Sequence, residues 1–156
     1  MVHEFNFADD CLKYIGTRVG RIMPGRINDL LSQNKNFAFE TTLSTRSYKS
    51  KIIEAQQNDY TVTLLFFWLQ TIELAKELVK IRVSEGGHNI EPDVIERRYI
   101  KGINNLFEIY IPIVDDVLIF DNSEGKPELL AEKIDKELVV INKIKFNELK
   151  SYYDQD

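Results

Sequence analysis

Thr61-Val62-Thr63-Leu64-Leu65-Phe66-Phe67-Trp68-Leu69 decides the fold class. The stretch is nearly all apolar or β-branched, with no polar alternation. A strand of that composition is expected to be buried on both faces, as in the middle of a parallel sheet. Upstream, Phe37-Ala38-Phe39-Glu40-Thr41-Thr42-Leu43 reads as a second strand, and downstream Val117-Leu118-Ile119-Phe120 as a third. Leu129–Ala131 and Leu138–Ile141 are weaker strand candidates, and Phe5–Ala8 could supply another short one.

Helical patterns fill the intervals. Leu12, Ile15, Val19, Ile22, Ile27, Leu30 and Leu31 recur at helical spacing over 11–33, with Pro24-Gly25 expected to break or kink that helix. A helix follows over 46–57. Thr71 is placed to cap another, which Gly86-Gly87 ends. Pro92 opens a further helix running to about Tyr110, and 146–153 suits a short terminal one. Alternating strands and helices predict an α/β fold with a mostly parallel sheet flanked by helices, in one domain over 1–156. Ligands in such sheets bind beyond the carboxyl ends of the strands. That rule selects Glu40-Thr41-Thr42, Gln70-Thr71 and Asp121-Asn122-Ser123 as one rim.

Bulk properties narrow the function. A net charge of −5 argues against general nucleic-acid binding, though not against a local basic cleft. The single cysteine, Cys11, forms no internal disulfide framework. The apolar block is far shorter than the ~20 residues that span a bilayer, so no membrane association is expected. The start carries His3, Glu4, Asp9 and Asp10 rather than a basic and apolar leader, and a cytoplasmic location is expected. His3 and His88 are too few and too far apart in sequence for a metal site, so none is assigned.

Two groups could carry chemistry. Glu40, Thr41 and Thr42 suit binding of sugar or alcohol hydroxyls; the same threonines would equally cap the next helix. Arg82, Arg97 and Arg98 bracket a Gly-Gly-His turn, and arginines grip phosphate in a bidentate manner. A solvated helical face is the plainer account of that charge. A phosphate-binding loop requires Gly-x-x-x-x-Gly-Lys-Ser/Thr after a strand. The nearest stretch, Gly16-Thr17-Arg18-Val19-Gly20-Arg21-Ile22, is one residue short, lacks the lysine and hydroxyl, and reads as helix.

Several blocks occur in an order that resembles the zeta-toxin-like P-loop kinases. They are Gly20-Arg21-Ile22-Met23, Arg26-Ile27-Asn28-Asp29-Leu30, Asn36 through Ser44, Phe66-Phe67-Trp68-Leu69, Arg82-Val83, Gly86-Gly87-His88, Ile95-Glu96-Arg97-Arg98-Tyr99 and Phe120-Asp121-Asn122-Ser123. The resemblance implies a P-loop kinase-like fold using ATP or GTP with Mg, and a family activity of phosphorylating a small molecule such as a UDP-amino-sugar. It implies that Glu40, Thr41, Thr42 and Arg46 face the substrate. Arg82, Arg97 and Arg98 would form a phosphate-contacting lid, and Asp121 and Asn122 would lie near the nucleotide base. Phe7-Ala8-Asp9 resembles the remnant of an Asn-Ala-Asp block, which would make Asp9 a general base.

The family's first strand and its phosphate loop have no counterpart here. In relatives that strand lies between those resembling Phe37–Leu43 and Thr61–Leu69. Its absence leaves either a re-paired sheet or a gap, relieved by a strand from another subunit or from a complementing chain. Loss of the cradle, lysine and magnesium ligand together implies no phosphoryl transfer by this chain alone. The alternatives to a kinase are a non-catalytic ligand-binding module and a truncated remnant. The expected partners are a nucleotide sugar or other small ligand, an antitoxin or complementing chain, and a second copy.

Overall fold

The computed structural model describes residues 19–153, with side chains from Gly25 onward. Asp9, Phe5–Ala8 and Gly16–Arg18 lie outside the described residues. Helix α1 spans Val19–Ser32 and α2 spans Tyr48–Gln57. Pro24 sits inside α1, so the expected break does not occur. A proline there removes one amide donor, but burial holds the turns beyond it: Ile27 and Leu31 pack with Ala55 of α2.

Strand β1 is Thr63–Trp68 and is followed by α3, Ile72–Ser84. Thr71 caps α3 by accepting the Leu74 amide at 3.1 Å. Gly86, with φ of +100°, terminates it in a conformation that glycine adopts without strain. Helix α4 covers Pro92–Asn105 and widens into a π-helical turn at Leu106–Tyr110, with a short α5 at Ile111–Ile113. The Ile111 amide donates to the Leu106 carbonyl, five residues back. Pro112 has no amide to continue the ordinary ladder, and the wider turn falls just before it.

Strands β2 (Asp116–Asp121), β3 (Glu128–Ile134) and β4 (Glu137–Val140) precede α6, Lys143–Ser151. The sheet order is β1-β2-β3-β4. β1 and β2 are parallel, from Thr63 beside Asp116 to Trp68 beside Asp121. β2–β3 and β3–β4 are antiparallel. The sheet is therefore mixed rather than mostly parallel. A short hairpin explains the change: Asp135 and Lys136 both have positive φ, which fits the twist of a two-residue turn.

Among the described residues, helices cover one face of this sheet. Trp68, Val117, Ile119, Leu130 and Ala131 are buried with Ile103, Leu106 and Tyr110, and with Phe146 and Leu149 of α6. On β1 the burial alternates, leaving Leu65 54% and Phe67 49% exposed. β1 is thus an edge strand among the described residues, not the doubly buried central strand its composition predicts. The reason is positional: it has one ladder neighbour and one helical layer. The other expected strand, Phe37–Leu43, joins no ladder among the described residues. The chain runs from Lys35 to Thr42 without a turn or bend, and Leu43 then adopts φ of +55°.

Burial on one face only makes a sharp contrast testable. Ile119→Ala, at a fully buried position, should cost about 2–5 kcal/mol in urea denaturation. Leu65→Ala should cost less than about 1 kcal/mol. Equal losses at the two positions would contradict the one-sided sheet.

Candidate anion-binding cleft

A loop pinned to a helix builds the site. The Leu43 carbonyl accepts from the buried Asn105 side-chain amide at 2.7 Å, and the Thr45 carbonyl accepts from the Tyr110 hydroxyl at 2.6 Å. Between these anchors, Gly102 of α4 meets the loop: a Cβ there would stand 2.6 Å from the Thr42 carbonyl oxygen. Local bonds tighten the turn. The Leu43 amide donates to Thr41 Oγ1 at 3.2 Å, and the Thr42 and Ser44 hydroxyls lie 2.9 Å apart. Leu43 is 4% exposed despite its left-handed backbone. Such a conformation costs a branched residue about 1–3 kcal/mol; burial of its side chain and the Asn105 bond offset it.

The loop and α4 enclose a cleft of about 580 Å³. Its lining includes Ser44, Arg46, Arg97, Lys101, Asn104 and Glu108. Spacings of three or four along α4 and the π turn put Arg97, Lys101, Asn104 and Glu108 along one stripe. Arg46 reaches across from the loop to Glu108, with Nη2 and Oε2 at 3.2 Å. Both partners are largely exposed, so this bridge contributes little stability. The cleft therefore presents three cations, one carboxylate and the Ser44 hydroxyl. That set suits an anion carrying hydroxyl groups.

Of the residues the sequence singles out, Arg46 and Arg97 meet in this cleft. Glu40, Thr41 and Thr42 are exposed on the loop leading into it. Arg98 is exposed and does not line it; the next residue on a helix turns about 100° away. Arg82 lies in the last turn of α3, where its carbonyl accepts the Gly87 amide at 2.9 Å. Ser44, Lys101, Asn104 and Glu108 were not anticipated. The i, i+4 and i, i+7 positions from Arg97 were the available signal for Lys101 and Asn104.

The carboxyl-end rim forms only in part. Gln70 donates its amide to Ser123 Oγ at 2.9 Å and its Nε2 to Asp121 Oδ2 at 2.9 Å. Lys145 of α6 also bonds Asp121 Oδ2, at 2.7 Å, and Glu128 at 2.6 Å. Asp121 is 2% exposed and also accepts from the Ser123 amide and hydroxyl. Burial pushes its carboxyl up, but Lys145 and the Ser123 bonds together hold it below the usual carboxylate range. The Asn122 amide donates to the Trp68 carbonyl at 2.8 Å. Asp121 in this arrangement fastens β1, β2 and α6 together. Among the described residues no His, Cys, Asp and Glu group could hold a metal ion.

Comparison with known proteins identifies the lineage. The zeta toxin family model matches residues 7–134. The chain belongs to the zeta toxin family. It is also similar to an uncharacterized protein of Haemophilus influenzae, 31% identical over 80 residues. That match covers 51% of this chain, which spans 57% of the relative's length. No solved structure matches it. Family membership makes this a kinase-like domain, and the mixed four-stranded sheet flanked by helices is compatible with a P-loop kinase-like fold. No described helix is long and apolar enough to cross a membrane.

The anchors and the buried carboxylate each lead to a measurement. Asn105→Ala should leave the Leu43 carbonyl without its partner and cost about 1–3 kcal/mol; Gly102→Ala should displace the loop, read as altered amide shifts over 41–46. Unchanged stability and shifts would contradict the pinned loop. A carboxylate held low stabilises the fold above its unfolded pKa of about 3.9 and loses that contribution as pH falls through its native value. Thermal scans should show stability dropping on the acid side of that range, with a shallower drop in Asp121→Asn. The paired Lys145 ammonium is held above its usual range, first by its Asp121 bond. Its contribution is present below about pH 10.4 and fades only as pH rises through the native value.

Proposed function

We propose that the cleft holds the phosphate groups of a small phosphorylated ligand, of the nucleotide-sugar class, and that this kinase-like domain does not transfer phosphate alone. The carrying observation is that Arg46, Arg97, Lys101 and Ser44 line one cleft. Arginine forks match phosphate oxygens, and the lysine adds a point charge. In a chain of net charge −5, such a local positive set selects anions at that one place. Thr41, Thr42, Ser44 and Glu40 would take sugar hydroxyls. Glu108 would give up Arg46 to the incoming phosphate.

By family resemblance the donor is ATP or GTP with Mg, with Asp9 as general base, Arg82 and Arg98 in the phosphate lid, and Asp121 and Asn122 near the base. The residues present do not fit a triphosphate cradle, because no Gly-x-x-x-x-Gly-Lys-Ser/Thr occurs in the sequence. Asp121 already spends its oxygens on Lys145, Gln70 and Ser123, which leaves little for a base. These points favour ligand binding over catalysis by the isolated chain. An antitoxin partner and a cytoplasmic location are further proposals that rest on the resemblance.

Isothermal calorimetry with a UDP-N-acetyl-amino-sugar tests the reading. Binding should weaken with salt and fall about 10–100-fold in Arg97→Ala or Lys101→Ala, the loss of one charge-assisted hydrogen bond. The free sugar should give no heat, and ATP with Mg should give no turnover. Absence of heat at millimolar UDP-sugar, or equal affinity in both variants, would overturn the proposal.

A further inference from the structure

The cleft has a net charge of its own, and one residue adjusts it. Arg46, Arg97 and Lys101 line it against a single carboxylate, Glu108. Three cations against that carboxylate leave two positive charges over. Glu108 pairs with Arg46 at 3.2 Å. Neither Arg97 nor Lys101 forms an ion pair among the described residues.

Backbone anchors place the Arg46–Glu108 pair, and its own attraction does not. Leu106, Ile109 and Tyr110 are buried around Glu108, which is exposed. The Tyr110 hydroxyl holds the Thr45 carbonyl, which immediately precedes Arg46. Tyr110 thus fixes both the turn that presents Glu108 and the loop that presents Arg46. The two side chains are 74% and 42% exposed, and so open a pair contributes little to stability. Folding therefore gives little reason for a carboxylate among these cations. Its effect on a bound anion does.

We propose that Glu108 is the specificity-determining residue of the cleft. It matches the cleft to the two singly charged phosphates of a diphosphate diester and disfavours a phosphate chain with a free end. This rests on the reading of the cleft as a site for a nucleotide sugar. A phosphate esterified or bridged on both sides carries one negative charge. A terminal phosphate carries about −1.5 to −2 at pH 7, because its second proton leaves near about pH 6. Whichever phosphate takes Arg46 lies beside the carboxylate it displaces, since one guanidinium serves both in turn. Repulsion from Glu108 then grows with the charge on that phosphate. A diester is tolerated at that place, whereas the free end of a nucleoside diphosphate or triphosphate is penalised. Like charge set against the wrong ligand is a general route to selectivity. No other lining residue can act this way, because Ser44, Ile100, Asn104 and Asn105 carry no charge.

Isothermal calorimetry on the full chain tests this with two probes that share a nucleoside, a UDP-N-acetyl-amino-sugar and UDP. The salt is kept below about 0.1 M, where charges act over about 10 Å or more. Glu108→Gln should tighten UDP about three- to ten-fold more than it tightens the UDP-sugar. Glu108→Asp keeps the charge and should keep the wild-type ratio of the two affinities. Both variants should melt within about 2 °C of the wild type. Equal changes for the two ligands in Glu108→Gln, or no change in either, would overturn the proposal. So would a Glu108→Asp ratio equal to that of Glu108→Gln. Wild-type heat with an unmoved ratio would leave the nucleotide-sugar reading standing. No heat from the wild type with the UDP-sugar would overturn both.

Discussion

Three backbone carbonyls, those of Thr42, Leu43 and Thr45, are held against one helical column, and the rest of the candidate site depends on that contact. Asn105 and Tyr110 supply donors to two of them, and the missing side chain of Gly102 admits the third. The contact sets where Arg46 emerges and brings it over the α4 stripe that carries Arg97 and Lys101. It also explains Leu43. A leucine with positive φ is unfavourable on its own, and it persists because a buried amide and a closed apolar core both require that conformation.

The same contact bears on the sheet. A segment whose last residues are tied to α4 has a fixed end, and its Phe37 and Phe39 are fixed by the α1–α2 cluster. The segment is therefore held near Tyr60 and Val62, which lead into β1, and no described strand pairs with it. Among the described residues the helical layer then covers only the face bearing Val117 and Ile119, with Leu65 and Phe67 about half exposed. A sheet of this class normally has both faces covered. Apolar burial on one side, joined to an uncharged edge, describes a fold in which stability and completeness of the sheet are separate matters.

Much of this was legible in the residues, and the failures share a cause. Thr71, Gly86 and Pro92 placed helix ends correctly because caps, positive φ and a fixed φ act within a few residues. The Thr61–Leu69 and Val117–Phe120 runs were readable as strands from β-branched and aromatic content. Neighbours were not readable. The Phe37–Leu43 alternation is that of a strand, but a ladder needs a partner, which local pattern does not report. Pro24 has the composition of a break, yet Ile27 and Leu31 find a partner in Ala55. For the cleft, Arg46 and Arg97 were named, whereas Lys101, Asn104 and Glu108 follow only once α4 is known to face the loop. Asp121 shows another limit of local pattern: its bonds come from Lys145 and Gln70, which are distant in sequence.

The most direct measurement is amide and side-chain chemical-shift mapping of the labelled chain during titration with a UDP-N-acetyl-amino-sugar. Shifts concentrated at Thr42–Arg46, Arg97 and Lys101, with Asp121 and Asn122 unmoved, are the predicted result. Shifts centred on Asp121–Ser123 that leave α4 untouched would contradict the assignment of the loop–helix cleft as the site.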